Sequence, residues 1–358
     1  METVRSRSFA RAGFLGNPSD GYFGKTISFT FRDFCVDLKL TESARLRFVP
    51  GEVDDATFES PEKLVRDLRL YGYYGGIRLL KATAKRFFEY CLEHGFELPK
   101  RNFTVEYKIN IPRLVGLSGS SAICSAMLKA LQAFYGVTIP DEEAPTVVLE
   151  AERDELGIAC GLQDRVIQMY NGVVFMDFDR PLVESTGHGR YERLYPSALL
   201  PCPSALLSRL YIAYDPNRAE ESGKAHKKVK RLFQENNADV HVAMREFADI
   251  AQQGRDAIVR GDFAALPALV NANFDLRDRI FNVAEENRRM VMTARKSGAS
   301  AKFAGSGGAI VGMFEDAGQF ERLKADLAEI GCTVFVPNVA TSEDEVRDFE
   351  GEGVWRNS

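Results

Sequence analysis

One tryptophan, four histidines and six cysteines are spread over 358 residues, and no two cysteines form a C-x-x-C pair. Cys35, Cys91, Cys124, Cys160, Cys202 and Cys332 are scattered along the chain. That dispersal argues against a zinc site and against a disulfide framework, and fits reduced thiols in a cytoplasmic protein. Positive charge is not in excess either: 46 Lys and Arg against 51 Asp and Glu leave −5. No basic field therefore recruits nucleic acid or an anionic membrane. No apolar run approaches the length that spans a bilayer. The N-terminus, METVRSRSFARAGF, lacks the continuous apolar stretch of a signal peptide. Internal repeats and low-complexity segments are missing too. What remains, 45% hydrophobic and 27% charged, is the composition of a soluble globular protein long enough for two domains.

The most informative stretch runs from Pro112 to Ser125, PRLVGLSGSSAICS. Before it, Phe103, Val105, Tyr107, Ile109 and Ile111 alternate with polar residues, the pattern of a half-buried strand that Pro112 ends. After it, Ala122, Ile123, Ala126, Met127, Ala130, Leu131 and Phe134 recur at helical spacing. A strand, a glycine-serine loop and a helix result. Such a loop brings backbone N–H groups close to an anion, and the helix N-terminus favours a phosphate. A helix start capped by serine accounts for the same residues. No Gly-Lys-Ser/Thr follows the loop, so it is not a Walker loop.

Around this centre the chain alternates strand and helix signals. A short strand from Ser8 leads to a turn carrying Gly16, Asn17, Pro18, Ser19 and Asp20, which turn chemistry alone explains. Ile27 to Leu40 reads as a strand, as do Leu46 to Val49 and Gly172 to Phe178. A short helix starts at Pro61, and Ile77 to Cys91 carries the apolar stripe of a longer one. Between them, Tyr73 and Tyr74 sit among glycines, either as a hinge or as a loop that stacks a base or sugar. Asp179 to Pro203 reads as irregular, and the domain boundary falls there, giving domains 1–203 and 204–358. The second opens with a strand at Leu206 to Tyr214. Helices to about Ser297 follow, the first with Ser222, Gly223 and Lys224 as a conceivable lid over phosphates. Gly305, Ser306, Gly307 and Gly308 then turn between two short strands, and a helix, a final strand and a charged tail complete the chain.

Three stretches together resemble the GHMP small-molecule kinases. PRLVGLSGSSA fits that family's second motif, P-x-x-x-G-L-S/G-S/G-S-A/S, position by position. Aligned without a gap to the first motif of the family's sugar kinases, Arg11, Gly16 and Asp20 match its Arg, Gly and Asp. KFAGSGGAIVG from Lys302 resembles the third, K-x-x-G-A/S-G-G-G, with Ala309 in place of the last glycine. Glu152, Gly157, Gly161 and Asp164 reproduce the spacing of the family's magnesium-binding Glu and catalytic Asp. Within the family the likeness is to plant-type glucuronokinases, through RSFARxGFLGNPSDxYFGxTIS, GLSGSSAI and ELGIxxGLQDR.

The resemblance implies an α+β fold of two domains: a mixed-sheet N-terminal domain and a ferredoxin-like C-terminal one, with the active site between them. It implies an ATP- and magnesium-dependent kinase that phosphorylates the anomeric 1-hydroxyl of D-glucuronic acid for UDP-glucuronate synthesis. Another sugar 1-kinase, for galacturonate or galactose, or a non-catalytic sugar sensor, are the alternatives. By this likeness Asp164 and Arg11 are catalytic. Pro112, Gly116, Leu117, Ser118, Gly119, Ser120, Ser121 and Ala122 hold the nucleotide, and Ser121 and Glu152 hold magnesium, with Ser120 the alternative hydroxyl. Asn17, Asp20, Arg165, Gly305, Ser306 and Gly307 meet the sugar. Galactokinases carry Glu where this chain has Asn17. A neutral amide can donate to a sugar's 6-carboxylate that a Glu would repel, and Arg165 is either a solvated cation or a second partner for that carboxylate.

Overall fold

One long strand organises the first sheet. In the computed structural model, which describes residues 2–51, 54, 60–61, 63, 75–197, 204–216, 223–281 and 283–347, β2 (Lys25–Ser43) pairs antiparallel along most of its length with β1 (Thr3–Leu15). Its other edge is shared. The first half of β2 pairs with β5 (Val173–Asp177), and the second half pairs with β4 (Asn102–Ile109). β3 (Arg47–Phe48) adds to β4 in parallel, which makes the sheet mixed, and β6 (Arg190–Tyr195) closes the other side. β1 is longer than the short strand expected from Ser8, because its first residues, Thr3 to Arg7, pair with the far end of β2.

The segment expected to be irregular, 179–203, departs most from expectation. Among its described residues are a helical stretch, Arg180–Thr186, and β6. β6 is an edge strand in which only Leu194 is buried, so it shows no apolar alternation. The proposed boundary at residue 203, the pair Tyr73 and Tyr74, Ser222, the Lys224 side chain, nearly all of the short helix at Pro61 and most of the charged tail lie outside the described residues.

The helices of the first domain are α1 (Gly76–Glu93), α2 (Gly119–Tyr135), α3 (Ala144–Arg153) and α4 (Gln163–Tyr170). α2 is apolar nearly all round, with twelve of its seventeen residues buried, and packs on β1, β2 and α1. The second domain is a four-stranded antiparallel sheet of β7 (Leu210–Tyr214), β8 (Lys302–Phe303), β9 (Ala309–Met313) and β10 (Thr333–Phe335) in the order β10-β7-β9-β8. Helices α5 (Gly223–Gln234), α6 (Ala238–Arg260), α7 (Leu266–Ile280) and α8 (Glu285–Lys296) connect β7 to β8, and α9 (Ala317–Ala328) connects β9 to β10. Strand, helices, two strands, helix and strand in that order form the expected ferredoxin-like arrangement.

The two sheets share a core. α6 packs on β2, and one apolar cluster runs from Phe29 and Phe31 through Phe247 and Ile250 to Val311. A smaller cluster fills the space among β7 to β9, α8 and α9. After β10 the chain returns to the first domain. Arg32 N–H donates to the Asn338 carbonyl at 2.8 Å, and Ala340 bridges Thr30 and Gly172 by backbone bonds of 2.8 Å each.

Candidate active site

At the junction of the domains lies a cavity of about 370 Å³, walled by β1, the Pro112–Ser120 loop, the start of α4 and the Gly305–Ser306 turn. Its floor is set by backbone contact between two glycine loops. A Cβ on Gly305 would fall 2.3 Å from the Gly116 carbonyl oxygen, and one on Gly116 would fall 2.6 Å from that of Gly307. Only glycines allow the second and third motifs to touch in this way.

The loop feeding α2 is strained. Leu114 and Ser118, neither of them glycine, have φ of 57° and 68°, in the left-handed region. No side chain caps α2, and the Ser118 hydroxyl instead donates to Asp164 Oδ2 at 2.6 Å and lies 2.7 Å from Ser121 Oγ. The serine-cap explanation of this loop therefore does not hold. Gly119 and Ser120, in the first helical turn whose N–H groups have no partner within the helix, line the cavity. That is the arrangement of an anion site.

Arg11, on β1, grips Asp164, on α4, with two parallel bonds: Nε to Oδ1 at 2.6 Å and Nη2 to Oδ2 at 2.7 Å. Its remaining nitrogen, Nη1, donates to the carbonyls of Gly116 at 2.6 Å and Ala304 at 3.2 Å. One guanidinium thus ties all three motifs together. Burial alone would raise the pKa of Asp164, but the Arg11 charge and hydrogen bonds, aided by Arg165 and the Ser118 hydroxyl, hold its carboxyl well below the usual range. The neighbouring carboxylate behaves in the opposite way. Burial, then the nearby Asp164 charge, pushes Asp20 up to about 6, against a weak opposing bond from the Gln163 N–H.

Of the residues anticipated from the sequence, Arg11, Asn17, Asp20, Pro112, Gly116, Leu117, Ser118, Gly119, Ser120, Asp164, Arg165, Gly305 and Ser306 line the cavity. Ser121 and Ala122 are buried behind it, and Gly307 backs Gly116. Arg165 is buried, which removes the solvated-cation alternative. Its Nε donates to Glu152 Oε2 at 2.8 Å, Nη2 donates to the same oxygen, and Nη1 donates to the Gly161 carbonyl at 2.9 Å. Each of its nitrogens makes one such bond, and the carboxylate it pairs with in this structure is that of Glu152. Glu152 is fully buried, does not line the cavity, and leaves Oε1 with no partner among the described residues.

Among the lining residues that the sequence left unmarked are Arg277, Gln163 and Tyr22. Arg277, in a charged stretch of α7 read only as amphipathic helix, is buried and donates to the carbonyls of Gly305 at 2.9 Å and Ser306 at 3.0 Å, fixing the third motif's turn. Gln163, next to Asp164, is buried with its Oε1 unpartnered. Tyr22 borders the cavity beside Asp20. Arg277 lies between Asp275 and Asp278 on a helix surface pattern, and nothing local marks it as inward-facing.

Comparison with known proteins accords with this geometry. Residues 78–172 match the family model for the GHMP kinases N terminal domain, and residues 255–331 match that for GHMP kinases C terminal. The chain is 42% identical over 346 residues to Glucuronokinase 1 of Arabidopsis thaliana, covering 95% of this chain and 93% of that one. It is 43% identical over 350 residues to Probable glucuronokinase 2 of the same plant, with 94% and 93% covered. Among solved structures, Lactococcus lactis galactokinase complexed with galactose shares the fold at a TM-score of 0.70 and 14% identity, over 95% of this chain and 94% of that one. With its glycine loops in contact, its Arg–Asp pair between them and relatives matching almost end to end, the chain belongs to the GHMP kinase family.

Proposed function

We propose that this kinase transfers the γ-phosphoryl group of ATP to the anomeric hydroxyl of D-glucuronic acid in the cytoplasm, giving D-glucuronate 1-phosphate for UDP-glucuronate synthesis. The observation that carries the reading is the Arg11–Asp164 pair standing in one cavity with the uncapped start of α2. The acceptor rests on the plant relatives that bear its name.

In this reading the N–H groups of Gly119 and Ser120 and the Pro112–Ser118 loop hold the phosphates. Asp164, kept ionised by Arg11, accepts a hydrogen bond from the anomeric hydroxyl and orients it in line with the phosphoryl group. A carboxylate with so low a proton affinity takes the proton late, once bonding to phosphorus has made the hydroxyl acidic. Arg11 holds Asp164 in place, Asp20 receives sugar hydroxyls, and Gly305, Ser306 and Gly307 border the acceptor. The fully buried Glu152, with an orphan oxygen, and the Ser121 hydroxyl are the hard oxygen donors that magnesium takes, so the residues fit that ion. Magnesium there, with Ser120 as the alternative hydroxyl, would neutralise charge on the triphosphate.

The test is ADP release from the purified protein with ATP and magnesium, comparing glucuronate, galacturonate, galactose and no sugar. Release with glucuronate above the other sugars is expected. Release with galactose alone would keep the kinase and discard the acceptor, and silence with all three would defeat the reading.

A further inference from the structure

Lys302 opens the third motif and is 1% exposed, one of the largest fully buried side chains of the protein. Its ammonium donates to three oxygens: the Gly13 carbonyl at 2.6 Å, Asn17 Oδ1 at 2.5 Å and the Phe303 carbonyl at 2.8 Å. All three acceptors are neutral. No carboxylate pairs with this lysine among the described residues, and the charges nearest to it in effect, those of Arg277 and Arg11, have its own sign. Burial, with those two cations, works to drive the proton off. Yet three acceptors within 2.8 Å use three N–H bonds, which only the charged ammonium has. A buried positive charge without a counter-charge is costly, and a built site of this kind is completed by an anion.

The lysine also fixes which way Asn17 points. Because an ammonium only donates, the atom of the Asn17 amide facing it is the oxygen, and the NH₂ group is turned away. Asn17 is 3% exposed and lines the cavity, and its Nδ2 has no partner among the described residues. Gln163 stands beside it. A Cβ on Gly13 would fall 2.9 Å from Gln163 Nε2 and 3.1 Å from Asn17 Cγ, so the glycine leaves room for both amides; the Gln163 atom without a partner among the described residues is Oε1, an acceptor. A buried amide whose NH₂ group is turned away from an uncompensated cation stands at the wall of the acceptor cavity.

We propose that Lys302 is the specificity-determining residue for an acidic acceptor: it orients the Asn17 amide so that its NH₂ receives the substrate's carboxylate, and it supplies the positive charge that this carboxylate balances. The inference rests on the glucuronate reading and adds to it the residue that makes the acid preferable to its neutral counterpart. Lys302 acts through Asn17 and is a positioning residue.

The experiment is calorimetric binding of D-glucuronate and of its uncharged 6-amide, D-glucuronamide, to the wild-type protein, to Lys302→Met and to Asn17→Asp. The amide keeps the size and ring of the acid, so the ratio of the two dissociation constants reads the carboxylate alone. The wild type is expected to prefer the acid by tenfold or more, the scale of one charge-assisted hydrogen bond. Both variants are expected to lose that preference while nucleotide affinity changes less than about threefold. A residue needed only for packing would weaken acid and amide together and leave the ratio unchanged. Asn17→Asp keeps an acceptor for Lys302 and pairs its charge, so this variant carries the test even where Lys302→Met does not fold. A retained preference in folded Asn17→Asp overturns the inference. A wild type that binds neither compound, or the amide as tightly as the acid, overturns the glucuronate reading and the inference with it.

Discussion

Arg7 and Arg11 leave β1 on either side of a register shift between Phe9 and Ala10, and each grips an aspartate. Arg7 meets Asp37, its direct cross-strand neighbour on β2, through Nη2 to Oδ2 at 2.9 Å and a second bond from Nε, and the pair is sealed at 2% and 0% exposure. Arg11 has Thr30 as its strand neighbour but reaches instead to Asp164 on α4, whose side chain stays 21% exposed. The chemistry of the two pairs is the same and their uses differ. A pair made inside one sheet and closed to water fastens the frame. A pair made between elements 153 residues apart, with one carboxylate edge open to a cavity, is available to a substrate.

The contrast can be broken from either side. The largest effect is expected for Asp37→Asn, which leaves the buried Arg7 charge without its carboxylate and should cost about 3–5 kcal/mol of stability in denaturant unfolding. Turnover per folded molecule should hold, and a stable Asp37→Asn with lost turnover would reverse the roles given to the two pairs. Next comes Asp164→Asn, for which turnover should fall about a hundredfold or more, roughly 3 kcal/mol of barrier, with ATP affinity nearly intact. Near-normal turnover would remove Asp164 from the reaction.

A smaller effect sharpens the same comparison through Asp20, the cavity carboxylate with no arginine of its own in hydrogen-bonding contact. With its pKa raised to about 6, it is protonated on the acid side of that value. kcat/KM for the sugar should therefore decline below about pH 6, and the decline should be missing from Asp20→Asn. For stability the sign is the reverse of the usual carboxylate. The folded state keeps a proton that the unfolded chain releases near 3.8, so Asp20 detracts from stability as pH rises from there to about 6 and the full penalty remains above it. Asp20→Asn should flatten that part of the stability profile, and an unchanged slope would show that Asp20 is solvated.

The sequence disclosed what is local. The glycine-serine loop before α2, the Glu152 and Asp164 spacing and the glycine turn after Lys302 are short sequence patterns, and the alternation of β2 and β4 marks their buried faces. Long-range choices left no such trace. Arg165 pairs with the buried Glu152, and Lys302 with Asn17, 285 positions away. β6 carries Arg190, Glu192 and Arg193 on a sheet edge where polar residues are tolerated, so it lacks the apolar signature by which strands are read.

The return of residues 338–340 to β2 gives the molecule a second hinge pin. Besides the covalent chain between β6 and β7 and the shared core, the two sheets are held by the backbone bonds of Asn338 and Ala340 to Arg32, Thr30 and Gly172 and by that of Gly13 to Ala304. A protease nick between β6 and β7 would therefore leave a nicked molecule that still migrates as one particle. With these attachments in place, opening the active site by swinging the domains wide apart would have to break one of them, so substrates must enter and leave through smaller movements of the cavity's rim.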